Sequence, residues 1–159
     1  NPDREYSHVA FEQIMRYPNT HMAISSDLGQ GIHPPNKAAY GARAAQVALT
    51  VAYAKGNEYL GPQLASHTMD GGKVALSFKH IGKGLAFKNG DKLQGFSIAG
   101  ADKKFVWADA EISGDKIIVS SKDVPRPAAV RYAWSNAFQW ANLFNKEGLP
   151  AQPSRTDNW

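Results

Sequence analysis

The stretch "SSDLGQGIHPPNKAAYGARAAQVALTVAYAKG", residues 25–56, changes character twice within 32 positions, and those changes decide how the chain is read. From Asn36 onward, Tyr40, Ala44, Val47, Ala48 and Val51 recur at helical spacing, which predicts an amphipathic helix. Asn36 suits its N-cap, and Gly56 stands where a left-handed C-terminal residue belongs. Upstream, "THMAISS" (residues 20–26) is short, largely apolar and bounded by turn formers, as a buried strand is, and Asp27 closes it. Asp27 and His33 therefore fall on the loop joining the C-terminal end of a strand to the N-terminus of a helix. In open α/β sheets, that edge is where ligands and reacting groups gather.

Working outward, Tyr6, Val9, Ala10, Gln13 and Ile14 follow helical spacing up to the breaker Pro18-Asn19. Beyond Asn57 the period shortens to that of strands. "KVALSF" (73–78), "GLAFK" (84–88), "LQGFSIAG" (93–100), "FVWADAEIS" (105–113), "KIIVSS" (116–121) and "AAVRYAW" (128–134) are separated by polar turns. Asn89-Gly90 and Gly114-Asp115 read as hairpin turns. The tail "NLFNKEGLPAQPSRTDNW" is rich in turn formers and reads as irregular. The expected fold is an α/β fragment (helix, strand, loop, helix) over residues 1–57, followed by an antiparallel β-sandwich-like module over 58–159. The opening "NPDREYSHVAFEQ" is neither a signal peptide nor an initiator methionine ahead of a first element, so the chain reads as cut from something longer. On that reading the sheet of residues 1–57 is incomplete and leaves apolar surface for another segment to cover.

Composition narrows the function classes. With 43% hydrophobic and 20% charged residues over 159 positions, the chain can bury a core. The net charge of +4 comes from lysines and acids interspersed along the chain, without a basic block or an Arg-rich helix, which argues against nucleic acid as a partner. No apolar run approaches the length of a membrane span. The absence of cysteine excludes disulfides and thiolate-ligated metals.

Most loop histidines are surface residues, but the setting of His33 favours chemistry. An aspartate upstream on the same loop can accept the Nδ1 proton and leave Nε2 as a general base for a serine. Pro34 and Pro35 stiffen the backbone directly after the imidazole. His8, His21, His67 and His80 lack such a setting, and no two histidines show metal-ligand spacing, so no metal or cofactor is assigned. None of the eleven serines stands in a Gly-x-Ser-x-Gly elbow or a Gly-Asp-Ser or Gly-Gln-Ser context, so a base and an orienting acid are present without a recognisable nucleophile. Tyr132, Trp134, Phe138, Trp140 and Phe144 form an aromatic cluster able either to stack on sugar rings or to fill a core. Strand position favours core for Tyr132 and Trp134, and Trp140 stays open.

"PNTHMAISSDLGQGIHPPNKAAYGARAAQVALTVAYA", "VRYAW" and "NLFNKEGLPAQPSRTDNW" together resemble the C-terminal portion of the sialate O-acetylesterase family, carbohydrate acetylesterases of the SGNH-hydrolase type. The "DLG…IHPPNK" loop and the "NKEGLPA" tail are the most specific parts of that resemblance. It implies a serine hydrolase that removes acetyl groups from sugars, such as sialic acid or polysaccharide side chains, and that needs no cofactor. His33 matches the catalytic base and Asp27 the acidic position ahead of it, with the serine on an N-terminal segment of the same enzyme, which could be a separate chain. It also implies a secreted or periplasmic enzyme. Two other readings stay open: a non-catalytic carbohydrate-binding β-module, and a structural fragment with a capping loop.

Overall fold

A computed structural model describes residues 14–25, 27–29, 33, 35–56, 58–134 and 140–159. The helix expected over Tyr6 to Gln13 lies outside the described residues, as does Phe138.

Helix α1, Lys37–Val51, begins where its cap residue puts it: the Asn36 side chain accepts a hydrogen bond from the Ala39 N–H at 3.2 Å. It ends earlier than the sequence suggested. Ala54, not Gly56, first takes the left-handed conformation (φ 51°), and the Lys55 N–H turns back to the Leu49 carbonyl at 2.7 Å. The face turned toward the protein also differs from the expected one. Tyr40, Arg43, Gln46, Val47 and Thr50 are half-buried, whereas Ala44, Ala48 and Val51 are exposed, and no residue of α1 is fully buried. Residues 20–25 do not form a strand. A strand exists only through its ladder, and among the described residues no neighbour pairs with this segment.

The rest is β-structure. Strands β1 (Gln63–Asp70), β2 (Lys73–Lys79), β6 (Asp109–Ser113) and β7 (Lys116–Ser120) form an antiparallel sheet in the order β1-β2-β7-β6. Strands β4 (Phe96–Ala99), β5 (Phe105–Trp107), β8 (Ala129–Tyr132) and β10 (Ser154–Arg155) form a second, ordered β10-β8-β4-β5. Strands β3 (Leu85–Phe87) and β9 (Leu143–Asn145) pair on their own. Alternation turns Val74, Leu76 and Phe78 of β2 and Ile117 and Val119 of β7 inward, to share one core with Phe96, Ile98, Val130 and Tyr132. Among the described residues the arrangement is helix α1 followed by a sandwich-like antiparallel module.

Two sequence expectations are corrected in the module. "FVWADAEIS" is two strands: β5 pairs with β4 in one sheet, β6 with β7 in the other, and the chain crosses between sheets at Ala108, whose N–H bonds the Phe96 carbonyl at 3.0 Å. Gly114-Asp115 does close a two-residue hairpin, with Ser113 opposite Lys116, but Asn89-Gly90 does not, because β3 pairs with β9 and not with β4. A further two-residue hairpin, at Gly71-Gly72, joins β1 to β2.

The tail is largely without strand, yet it packs. β4 and β8 are buried at every position because the tail covers their outer face. Arg131 reaches out of β8 to Asp157, Nε to Oδ2 at 2.9 Å and Nη2 to Oδ1 at 2.8 Å, and Nη2 also donates to the Trp159 carbonyl. Its guanidinium lies 4.0 Å from the Phe105 ring centroid. Asn145, fully buried, donates to the carbonyls of Leu60 and His80 and accepts from the Leu149 N–H, while Asn142 accepts from the Gln94 N–H and donates to the Lys92 carbonyl. The two asparagines of "NLFN" thus satisfy backbone groups of three other segments that no ladder reaches. At Gly61 the backbone passes so close to the Pro150 carbonyl that a Cβ would overlap it.

Candidate active-site loop

Asp27 and His33 share a short loop that closes on itself before α1. Leu28 turns back through an N–H bond to the Ser25 carbonyl at 3.0 Å. Gly29, at φ 120°, lies against the Pro35 ring, where a Cβ would stand 3.2 Å from the proline Cδ. His33 is exposed.

Arg43 organises the loop, and the sequence reading did not single it out. From the protein-facing side of α1, its Nη1 donates to Asp27 Oδ1 at 2.5 Å and to the Ile24 carbonyl at 2.6 Å, and its Nη2 donates to Asp27 Oδ2 at 2.7 Å. A planar guanidinium and a planar carboxylate met by two parallel bonds fix each other's orientation as well as position. With side chains only 15% and 20% exposed, the pair is shielded from much of the solvent that weakens surface ion pairs. One signal pointed to it: Arg43 is the only charged residue between Lys37 and Lys55.

The structure therefore brings Asp27 to Arg43. Among the described residues it shows no hydrogen bond from Asp27 to His33. Both Asp27 oxygens are engaged, but an ionised carboxylate offers about four acceptor positions, so the pair leaves room for an imidazole N–H. The helix is tied to the module by a second polar contact, from Gln46 Nε2 to the Glu58 carbonyl at 2.5 Å. Glu58 in turn meets His80 Nδ1 at 3.2 Å and accepts from the Leu60 N–H.

The aromatic cluster divides. Tyr132 and Trp134 are core, at 2% and 3% exposure. The Tyr132 hydroxyl accepts from the Leu143 N–H at 2.9 Å. Burial pushes its phenol pKa well above the ordinary value of 10.0, with the Asp27 charge acting in the same direction and the Leu143 N–H opposing it. Trp140 is partly exposed and meets Trp107, a residue the sequence reading left inside a strand.

No family model matches the chain, and no curated protein does. Among solved structures it is similar to a carbohydrate acetylesterase from Xanthomonas citri, with 42% sequence identity and a TM-score of 0.89. The match covers 96% of this chain and 36% of the other, so the chain spans about a third of the length of that protein. Over nearly all of its residues, then, the chain resembles in sequence and in fold one part of a carbohydrate acetylesterase.

Proposed function

We propose that the chain is the C-terminal part of a carbohydrate O-acetylesterase of the SGNH serine-hydrolase type, resembling the sialate O-acetylesterases. The observation that carries this reading is the 42% identity to a carbohydrate acetylesterase sustained over 96% of the chain. The exposed apolar side chains of residues 49–53 suit a helix that another segment covers, in keeping with a serine supplied from an N-terminal segment.

In this mechanism a serine hydroxyl attacks the acetyl carbonyl while His33 Nε2 takes its proton. The tetrahedral intermediate collapses by expelling the sugar oxygen, which receives that proton from His33. Water, deprotonated by the same imidazole, then attacks the acetyl-serine ester, releasing acetate and regenerating the serine. Asp27 accepts the Nδ1 proton and stabilises the imidazolium. Arg43, touching neither substrate nor reacting atoms, is a positioning residue: it holds the Asp27 carboxylate in a fixed orientation. The enzyme acts outside the cytoplasm, secreted or in the periplasm, on acetylated sugars.

The test is to purify the chain rigorously and to determine the mass and N-terminal sequence of anything that co-purifies. The reading expects no hydrolysis of an aryl acetate by the chain alone, since nucleophile and oxyanion donors are both lacking, and turnover once a polypeptide carrying a Gly-Gln-Ser type loop is restored. Turnover by the chain alone would move the search to its own serines.

A further inference from the structure

Outside the Asp27–His33 loop lies an aromatic cleft of about 400 Å³ at the edge of the β10-β8-β4-β5 sheet, lined by Lys92, Leu93, Gln94, Trp107 and Trp140 among others. Its size falls within the range of small-ligand sites, roughly 300–1,000 Å³. Trp107 is 50% exposed and Trp140 37%, and their rings meet edge to face at 88° with centroids 4.7 Å apart. Two indoles at a right angle present a floor and a wall, each open to solvent on one side. Burial of these side chains would have been the ordinary use of tryptophan in a sandwich, and Trp134 shows it.

The polar lining points to the class of ligand. Lys92 Nζ lies 3.4 Å from Asp109 Oδ1, so the rim cation stands beside a carboxylate and the rim carries no net charge from this pair. The Gln94 carboxamide, half-buried in the cleft, has no hydrogen-bond partner among the described residues and can both donate and accept. The backbone beneath it is held from both sides by Asn142, through the Gln94 N–H at 2.7 Å and the Lys92 carbonyl at 2.9 Å, so the carboxamide is presented from a fixed support. Apolar ring faces beside a neutral amide, without net charge, match an uncharged pyranose, whose axial C–H groups pack on an indole while its equatorial hydroxyls seek amide partners.

We propose that the Trp107–Trp140 cleft is a binding subsite for neutral pyranose oligosaccharides, placed on the β-module and distinct from the Asp27–His33 loop. The inference rests on the carbohydrate reading of the chain, but it does not require the chain to be catalytic. Calorimetric titration of the 159-residue chain with cellohexaose, xylohexaose and mannohexaose separates the two. The subsite is supported if at least one of these binds, if Trp107→Ala weakens that binding at least tenfold while Trp107→Phe retains most of it, and if Gln94→Ala weakens it several-fold. All variants should melt as the parent chain does, because the altered side chains are partly exposed. Absence of binding by all three oligosaccharides, or binding indifferent to Trp107→Ala, overturns the subsite. Tighter binding of trigalacturonate than of the neutral sugars would also overturn it, by showing an anion site. Failure of the esterase reading would appear elsewhere, as acetate release that does not depend on His33, with oligosaccharide binding intact.

Discussion

Helix α1 and the strand pair β4–β8 show opposite ways of holding a segment in place. All eight residues of β4 and β8 are buried, with the shared core on one side and the tail strapped over the other. The fifteen residues of α1 include none that is buried. What fastens α1 is polar: Arg43 to Asp27 and to the Ile24 carbonyl, and Gln46 to the Glu58 carbonyl. Its aliphatic positions look outward, Leu49 at 47% and Val51 at 41% exposure. Stability is therefore concentrated in the module, while α1 and its loop are specified by geometry and contribute little to the core. A region built in this way keeps its orientation through a few directional bonds, and substitutions there should change function before they change folding.

Substitutions that challenge this contrast should differ in size. The largest loss of stability is expected for Arg131→Ala, which strands the fully buried Asp157 carboxylate and removes the guanidinium from the Phe105 ring; about 3–5 kcal/mol should be lost in a denaturant titration. Next comes Ile98→Ala, a cavity in the shared core, at about 2–5 kcal/mol depending on how far the surroundings collapse. If either variant unfolds within 1 kcal/mol of the parent, on the order of an ordinary surface change, the module is not the seat of stability.

Tyr132 adds a pH dependence with a fixed sign. Its folded-state pKa is raised, so the native state keeps a proton that the unfolded chain gives up near 10. Stability is then undiminished below about pH 10 and falls as pH rises from there toward the folded-state value. Melting curves between pH 8 and 11 should show this decline, and Tyr132→Phe should flatten it while losing the bond from the Leu143 N–H. The smallest effect is expected on the helix: Leu49→Ser should alter the stability of this chain by no more than about 0.5 kcal/mol. A loss like that of Ile98→Ala would mean that Leu49 is packed after all and would erase the contrast.

The sequence made much of the module legible, and for a physical reason. In β2 and β7 the bulky apolar residues Val74, Leu76, Phe78, Ile117 and Val119 fall at every second position and are buried, and a single residue of register slip would turn both faces over. The Asn36 cap was legible too, because capping is local. What escaped depends on contacts distant in the chain. Nothing local in "NLFN" reveals that Asn145 will serve Leu60 and His80, 85 and 65 positions away, or that a turn-rich tail will cover a sheet. Nor does local pattern show that "FVWADAEIS" changes sheets at Ala108, since no turn former separates its two halves. In the loop, Asp27 and His33 were picked out by residue type and setting, but the partner of Arg43 is fixed only by the helix turning that side chain toward Asp27. Trp107 is a strand residue, as expected, but its exposure and its contact with Trp140 are not local properties of the sequence.

On the proposed esterase reading, the polar tether also bears on catalysis. Arg43→Leu removes both bonds to Asp27, and a carboxylate free to swing no longer orients an imidazole; acetate release by the complete enzyme should fall by up to ~100-fold with little change in KM, while the module's melting stays as it was. The most direct test of the account is kcat for His33→Ala on an acetylated oligosaccharide, measured in the complete enzyme beside the parent and Asp27→Asn, with thermal melting in parallel. The account predicts a loss on the order of 10³-fold or more for His33→Ala, a substantial but smaller loss for Asp27→Asn, and unchanged melting for both. Turnover near the parent's in a well-folded His33→Ala enzyme would contradict it.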